Sequence, residues 1–109
     1  MMNAFDALTQ LRANVAVSFN QARAMPKAVY TSEEFAAQEV EQIFSKEWFC
    51  VGRATALANP GDYVTLELAA KPLMVIRDRD GTLRAQSNVC LHRMSILLKG
   101  AGNVKGIVC

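Results

Sequence analysis

Three residues of this 109-residue chain carry side chains that could bind a metal together. Cys90 and His92 flank Leu91, and sixteen residues separate Cys109 from His92, which is the only histidine. Thiolate plus imidazole suits zinc, copper or iron–sulfur chemistry. Structural zinc takes four ligands, commonly in paired C-x2-4-C or H-x3-5-H knuckles, and the chain has none. A Cys–His catalytic pair would lower the thiol pKa, but side chains at i and i+2 of one loop seldom aim at each other. An iron–sulfur cluster with mixed ligands remains. On spacing alone, another metal or coincidental packing of the three stays open.

The elements that must position these residues fall into two parts. Phe5, Leu8, Leu11, Val15 and Phe19 recur at helical spacing, which predicts an amphipathic helix ending near Pro26. Thr31-Ser32-Glu33-Glu34 has the capping-box form with Thr31 as cap, and Ala36, Val40, Ile43 and Phe44 then share one face, so a second helix is expected to about Glu47. After it the period shortens. Strands are expected over 49–54, 63–68, 73–77 and 82–87, with a turn at Asn59-Pro60-Gly61-Asp62 and a type I′ hairpin at Asp80-Gly81. A loop then carries Cys90 and His92, Gly100-Ala101-Gly102 marks a turn, and a last strand is expected over 104–109.

Composition narrows the setting. Half the residues are apolar and a fifth charged, as in a globular domain. A net charge of +2 gives no reason to expect nucleic acid or a membrane surface. No run approaches the roughly 18 apolar residues of a membrane span. The N-terminus lacks a basic region before its apolar stretch, and Asp6 comes early, which is unlike a secretory signal. A cytoplasmic location is expected. Three cysteines there argue for metal binding or packing over disulfides. Cys50, within Trp48-Phe49-Cys50-Val51, reads as an ordinary buried residue.

From Tyr30 to Cys109 the chain resembles the α subunits of Rieske non-haem iron oxygenases, the ring-hydroxylating dioxygenases and related monooxygenases. The likeness rests on Tyr30-Thr31-Ser32, Glu39, Ile43-Phe44, Trp48 and Val51-Gly52, then on Pro60-Gly61-Asp62-Tyr63, and above all on Asn88-Val89-Cys90-Leu91-His92-Arg93, which looks like the family's N-x-C-x-H-R. Ser95 stands where respiratory Rieske proteins carry an extra disulfide cysteine, and Arg93 is typical of oxygenases rather than of small Rieske ferredoxins. Met94, where Gly is frequent, and Leu91, where Pro is frequent, depart from the pattern.

The resemblance implies a mainly β fold, a Rieske domain of small antiparallel sheets over 48–109, preceded by a helical leader of two helices over 1–47. It implies a [2Fe–2S] cluster held by Cys90 and Cys109 on one iron and His92 on the other. The fourth ligand, a histidine, would lie three positions beyond Cys109, and the catalytic domain with its mononuclear non-haem Fe(II) would lie outside the sequence too. The implied role is an electron relay from a reductase or ferredoxin to that iron, for O2-dependent hydroxylation or oxidative demethylation, in a homotrimer or α3β3 oligomer. The alternative is a stand-alone Rieske-type electron carrier. Late basic residues, Arg77, Arg79, Arg84, Arg93, Lys99 and Lys105, could face an acidic redox partner or form a solvated strand face.

Overall fold

The computed structural model describes residues 3–109. It divides into two compact units, Met1–Glu47 and Trp48–Cys109. In the first, α1 spans Ala4–Val15. The Asn3 side chain caps it by accepting from the Asp6 amide at 2.8 Å, with Asp6 at the positive end and Arg12 at the negative end of the helix dipole. The helix stops short of Phe19, which opens a 3-10 turn, Phe19–Gln21. Val17 and Ser18, poor helix formers, lie in that break. The expected apolar face is therefore split. Leu8 and Leu11 pack with Ala28 and Val29 on a core of Ala4, Ala7 and Phe35, whereas Phe5, Val15 and Phe19 are exposed.

Two short helices follow where one was expected: α2, Lys27–Thr31, starting directly after Pro26, and α3, Glu33–Glu39, running on as a π turn, Val40–Phe44. Ser32, not Thr31, caps α3, accepting from the Phe35 amide at 3.2 Å. Thr31 ends α2 instead, its hydroxyl donating back to the Lys27 carbonyl. Serine and threonine both satisfy orphan amides, so adjacent candidates can be separated only by where the chain turns.

The second unit is a four-stranded antiparallel sheet in the order β3-β2-β1-β4, with β1 Asp62–Leu68, β2 Lys71–Arg77, β3 Leu83–Ser87 and β4 Ala101–Asn103. The buried residues of its strands, Met74 and Val75, lie on β2, one of the two inner strands. Strands β1 and β2 meet through Ala69-Ala70, both at positive φ (52° and 60°). That is a primed two-residue turn without the glycine or asparagine that usually signals one. The β2–β3 connection is not the expected type I′ turn. The Gly81 amide donates to the Asp78 carbonyl, and only Gly81 takes positive φ (80°), so the chain makes a type I turn closed by a left-handed glycine.

Two further expectations differ from the structure. Residues 49–54 form no strand, and a 3-10 turn, Ala54–Leu57, follows them. The Ala54 and Leu57 carbonyls are taken by the Arg77 guanidinium rather than by a strand. Cys50 is exposed there, not buried. Residues 104–109 also lie outside the sheet, because the strand comes earlier, at Ala101–Asn103, within the expected turn. Gly61 holds that edge. Its amide donates to the Arg77 carbonyl, its carbonyl accepts from the Val104 amide, and at φ 89° a Cβ would run into the Val104 carbonyl.

Candidate metal centre

The loop after β3 is fixed before it reaches its first thiol. The Asn88 amide donates to the Pro72 carbonyl at 2.9 Å, and its carbonyl accepts from the Leu97 amide at 3.1 Å. Its side chain, 3% exposed, does the same in miniature with Leu98: Nδ2 donates to the Leu98 carbonyl at 2.8 Å and Oδ1 accepts from the Leu98 amide at 2.9 Å. One buried asparagine thus sews both ends of the loop together. Val89 and Ile96 pair as a bridge just inside, and the Cys90 amide donates to the Ser95 carbonyl at 2.8 Å. The tip closes when the Met94 amide donates to the Cys90 carbonyl at 2.8 Å, with Met94 at φ 56°. A left-handed turn here suits glycine; methionine takes it at a steric cost.

Within this frame Cys90 Sγ and Cys109 Sγ lie 2.7 Å apart. Both are free thiols, Cys90 buried and Cys109 exposed. The contact with Cys109, followed by the backbone amides of Arg93 and His92, pulls the Cys90 thiol below its usual pKa. The His92 amide reaches Cys90 Sγ at 3.4 Å. Cys109 moves the other way: its neighbour Cys90 and burial push it up, and a hydrogen bond from the Ser95 side chain opposes them. Of the three candidate ligands, the structure brings the two cysteines together. His92 stands exposed on the same loop tip, and among the described residues no three of His, Cys, Asp and Glu group closely enough to hold one metal ion.

Asn88 and Ser95 both act on this site through contacts that spacing does not reveal. Asn88 was visible only as the first letter of its motif, and nothing in the sequence aimed Ser95 at Cys109. Three of the six late basic residues, by contrast, are committed to contacts within the fold. Arg77 donates to the Leu57, Gly81 and Ala54 carbonyls, Arg79 to the Lys105 carbonyl, and Arg84 bridges Asp78 at 2.7 Å and Asp80 at 2.9 Å.

The family model for the Rieske [2Fe-2S] domain matches residues 47–109. The carnitine monooxygenase oxygenase subunit of Acinetobacter baumannii is 42% identical over 83 residues, covering 76% of this chain and 22% of that protein. The chlorobenzene dioxygenase subunit alpha of a Cupriavidus species is 37% identical over 82 residues, covering 74% of this chain and 18% of that protein. Among solved structures, the quaternary ammonium Rieske monooxygenase CntA bound to an inhibitor superposes with a TM-score of 0.75 at 43% identity, over 81% of this chain and 25% of that one. The antiparallel sheet and short helices match the fold of these subunits. The chain spans about a fifth of the length of the relatives it matches.

Proposed function

Since this chain belongs to the Rieske [2Fe-2S] domain family, we propose that Cys90, Cys109 and His92 are three ligands of a [2Fe–2S] cluster that relays electrons within an oxygenase α subunit. The observation that carries the reading is the pair of thiols drawn to 2.7 Å across nineteen positions of sequence, with an imidazole two residues from one of them. The donor set fits the group. In a Rieske centre thiolates serve one iron and imidazoles the other. A ring standing apart from a thiol pair follows that division.

Such a cluster, when bound, supplies one-electron chemistry at a potential raised by its neutral imidazole ligands. The chain's own residues do the rest. The Cys90 thiol is drawn below its usual pKa by Cys109 and then by amides of its own loop, Asn88 holds the loop's base, and His92 is presented at the surface. The partners of this reading are a reductase or ferredoxin as donor and a mononuclear non-haem iron as acceptor, in a trimeric or α3β3 assembly. The relatives named above are monooxygenase and dioxygenase subunits, which favours the oxygenase reading over a stand-alone carrier. The test is iron content and the electron paramagnetic resonance spectrum of the reduced holoprotein against its Cys90→Ser, Cys109→Ser and His92→Ala variants. Loss of the Rieske signal in each is expected. A variant that keeps full iron and an unchanged spectrum removes that residue from the ligand set.

A further inference from the structure

Cys90 and Cys109 reach each other from segments of unlike freedom. Cys90 is buried, and its loop is pinned by the Asn88 side chain and by its own amide on the Ser95 carbonyl. Cys109 is exposed, and residues 106–109 belong to no helix or strand. The 2.7 Å between the two Sγ atoms exceeds a sulfur–sulfur bond, about 2.0 Å, by only about 0.7 Å. A segment outside regular structure can close that gap. Cys50 is a free, exposed thiol too, but the one sulfur–sulfur contact among the described residues is that of Cys90 with Cys109. Before a cluster is inserted, the domain therefore presents one thiol pair and one single thiol to the same solvent.

We propose that Cys90 and Cys109 form a reversible disulfide in the iron-free protein, which bars cluster insertion until a dithiol reduces it. The bar on insertion rests on the reading of both as ligands; the bond itself rests on their juxtaposition. The oxidant is a low-molecular-weight disulfide, and exchange proceeds by attack of a thiolate on a sulfur. The accessible Cys109 thiolate attacks one sulfur of that disulfide, expels one small thiolate and is left as a mixed disulfide. The Cys90 thiolate then attacks Cys109 Sγ and expels the second. Two protein thiols lose two electrons and two protons, and the small disulfide accepts them and departs as two thiols. At Cys50 no second thiol is at hand, so the mixed disulfide is the end point. A sulfur held in a disulfide has no thiolate to offer iron.

The experiment uses the full-length protein, stripped of iron by a chelator in the presence of a dithiol and then freed of both. It is equilibrated with mixtures of reduced and oxidised glutathione, trapped by alkylation and mapped by mass spectrometry. A Cys90–Cys109 cross-link is expected, with Cys50 carrying glutathione. The effective concentration of one thiol at the other should exceed its value in concentrated urea, where a flexible chain gives roughly millimolar, by at least about tenfold. In Cys90→Ser, Cys109 should hold glutathione as Cys50 does. Offered a preformed [2Fe–2S] cluster from a scaffold protein, the cross-linked protein should take up less than about a tenth of what the reduced protein does, and a dithiol should restore uptake. Separate glutathione adducts on Cys90 and Cys109 overturn the proposal. So does an effective concentration no higher than in urea, or equal cluster uptake before and after the dithiol. Failure of the underlying reading shows elsewhere: a loaded Cys109→Ser protein with a full cluster and unchanged spectrum would remove Cys109 as a ligand, whatever the cross-link map of the iron-free protein shows.

Discussion

Replacing Asn88 with alanine should open the loop after β3 without touching either thiol. The side chain makes two hydrogen bonds to the backbone of Leu98, at 2.8 and 2.9 Å, from a position 3% exposed to solvent. Each such bond contributes about 0.5–1.5 kcal/mol, and a buried group left unpaired costs about 1–3 kcal/mol. Leu98 is only half-buried, so water can recover part of the loss. The expected penalty is about 2–4 kcal/mol, a large share of the roughly 5–15 kcal/mol that holds a domain together. Amide hydrogen exchange reads it locally. Protection of the Leu97 and Leu98 amides should fall by about 30- to 700-fold, since each 1.4 kcal/mol is tenfold. The solvent-exposed Gln86→Ala change, on the strand just before the loop, should leave both amides within about twofold. Protection at Leu98 within threefold of the parent in Asn88→Ala would refute the argument that this side chain closes the loop.

Three further outcomes follow from other contacts. Changing Ala69-Ala70 to Asn-Gly should stabilise the β1–β2 hairpin by about 1–2 kcal/mol, because both alanines sit at positive φ, and should raise the urea midpoint with an unchanged slope. Arg77→Lys should cost about 1–3 kcal/mol and speed exchange across Ala54–Leu57, since a point-like ammonium cannot reach three carbonyls at once. The Arg84 side chain and the Thr82 amide hold the Asp80 carboxyl well below its ordinary range. A folded-state pKa below the unfolded value gives stability that is present above about pH 4 and lost as pH falls through the folded value. The urea midpoint of Asp80→Asn should therefore depend less steeply on pH below 4 than that of the parent, and parallel profiles would count against the pairing.

The cysteines and histidine were legible because their chemistry is rare and their order along the chain is distinctive. The strands over 63–68 and 73–77 were legible because alternation and β-branched residues act locally. What escaped reading depended on partners far off in sequence. The segment over 49–54 is as apolar as a strand, but carbonyls at Ala54 and Leu57 go to Arg77, 23 and 20 positions away. The turn at Ala69-Ala70 is imposed by the register of the strands around it, with no local preference behind it. Asp80-Gly81 looked like a primed turn until Asp78 and Arg84 supplied a different closure. The helix cap moved by one residue because Thr31 was already spent on Lys27. At the site, a motif letter could name Asn88, but only coordinates show it gripping Leu98.

The two sulfurs that meet at 2.7 Å belong to positions nineteen apart along the polymer. Any atom bonded to both would close a ring of that length and remove from the unfolded chain the many conformations in which the ends wander apart. In the chain-entropy treatment of cross-links, a loop of about that size is worth roughly 3 kcal/mol. The cofactor of this domain would then double as a rivet, and a protein emptied of iron would forfeit mechanical closure along with its redox chemistry.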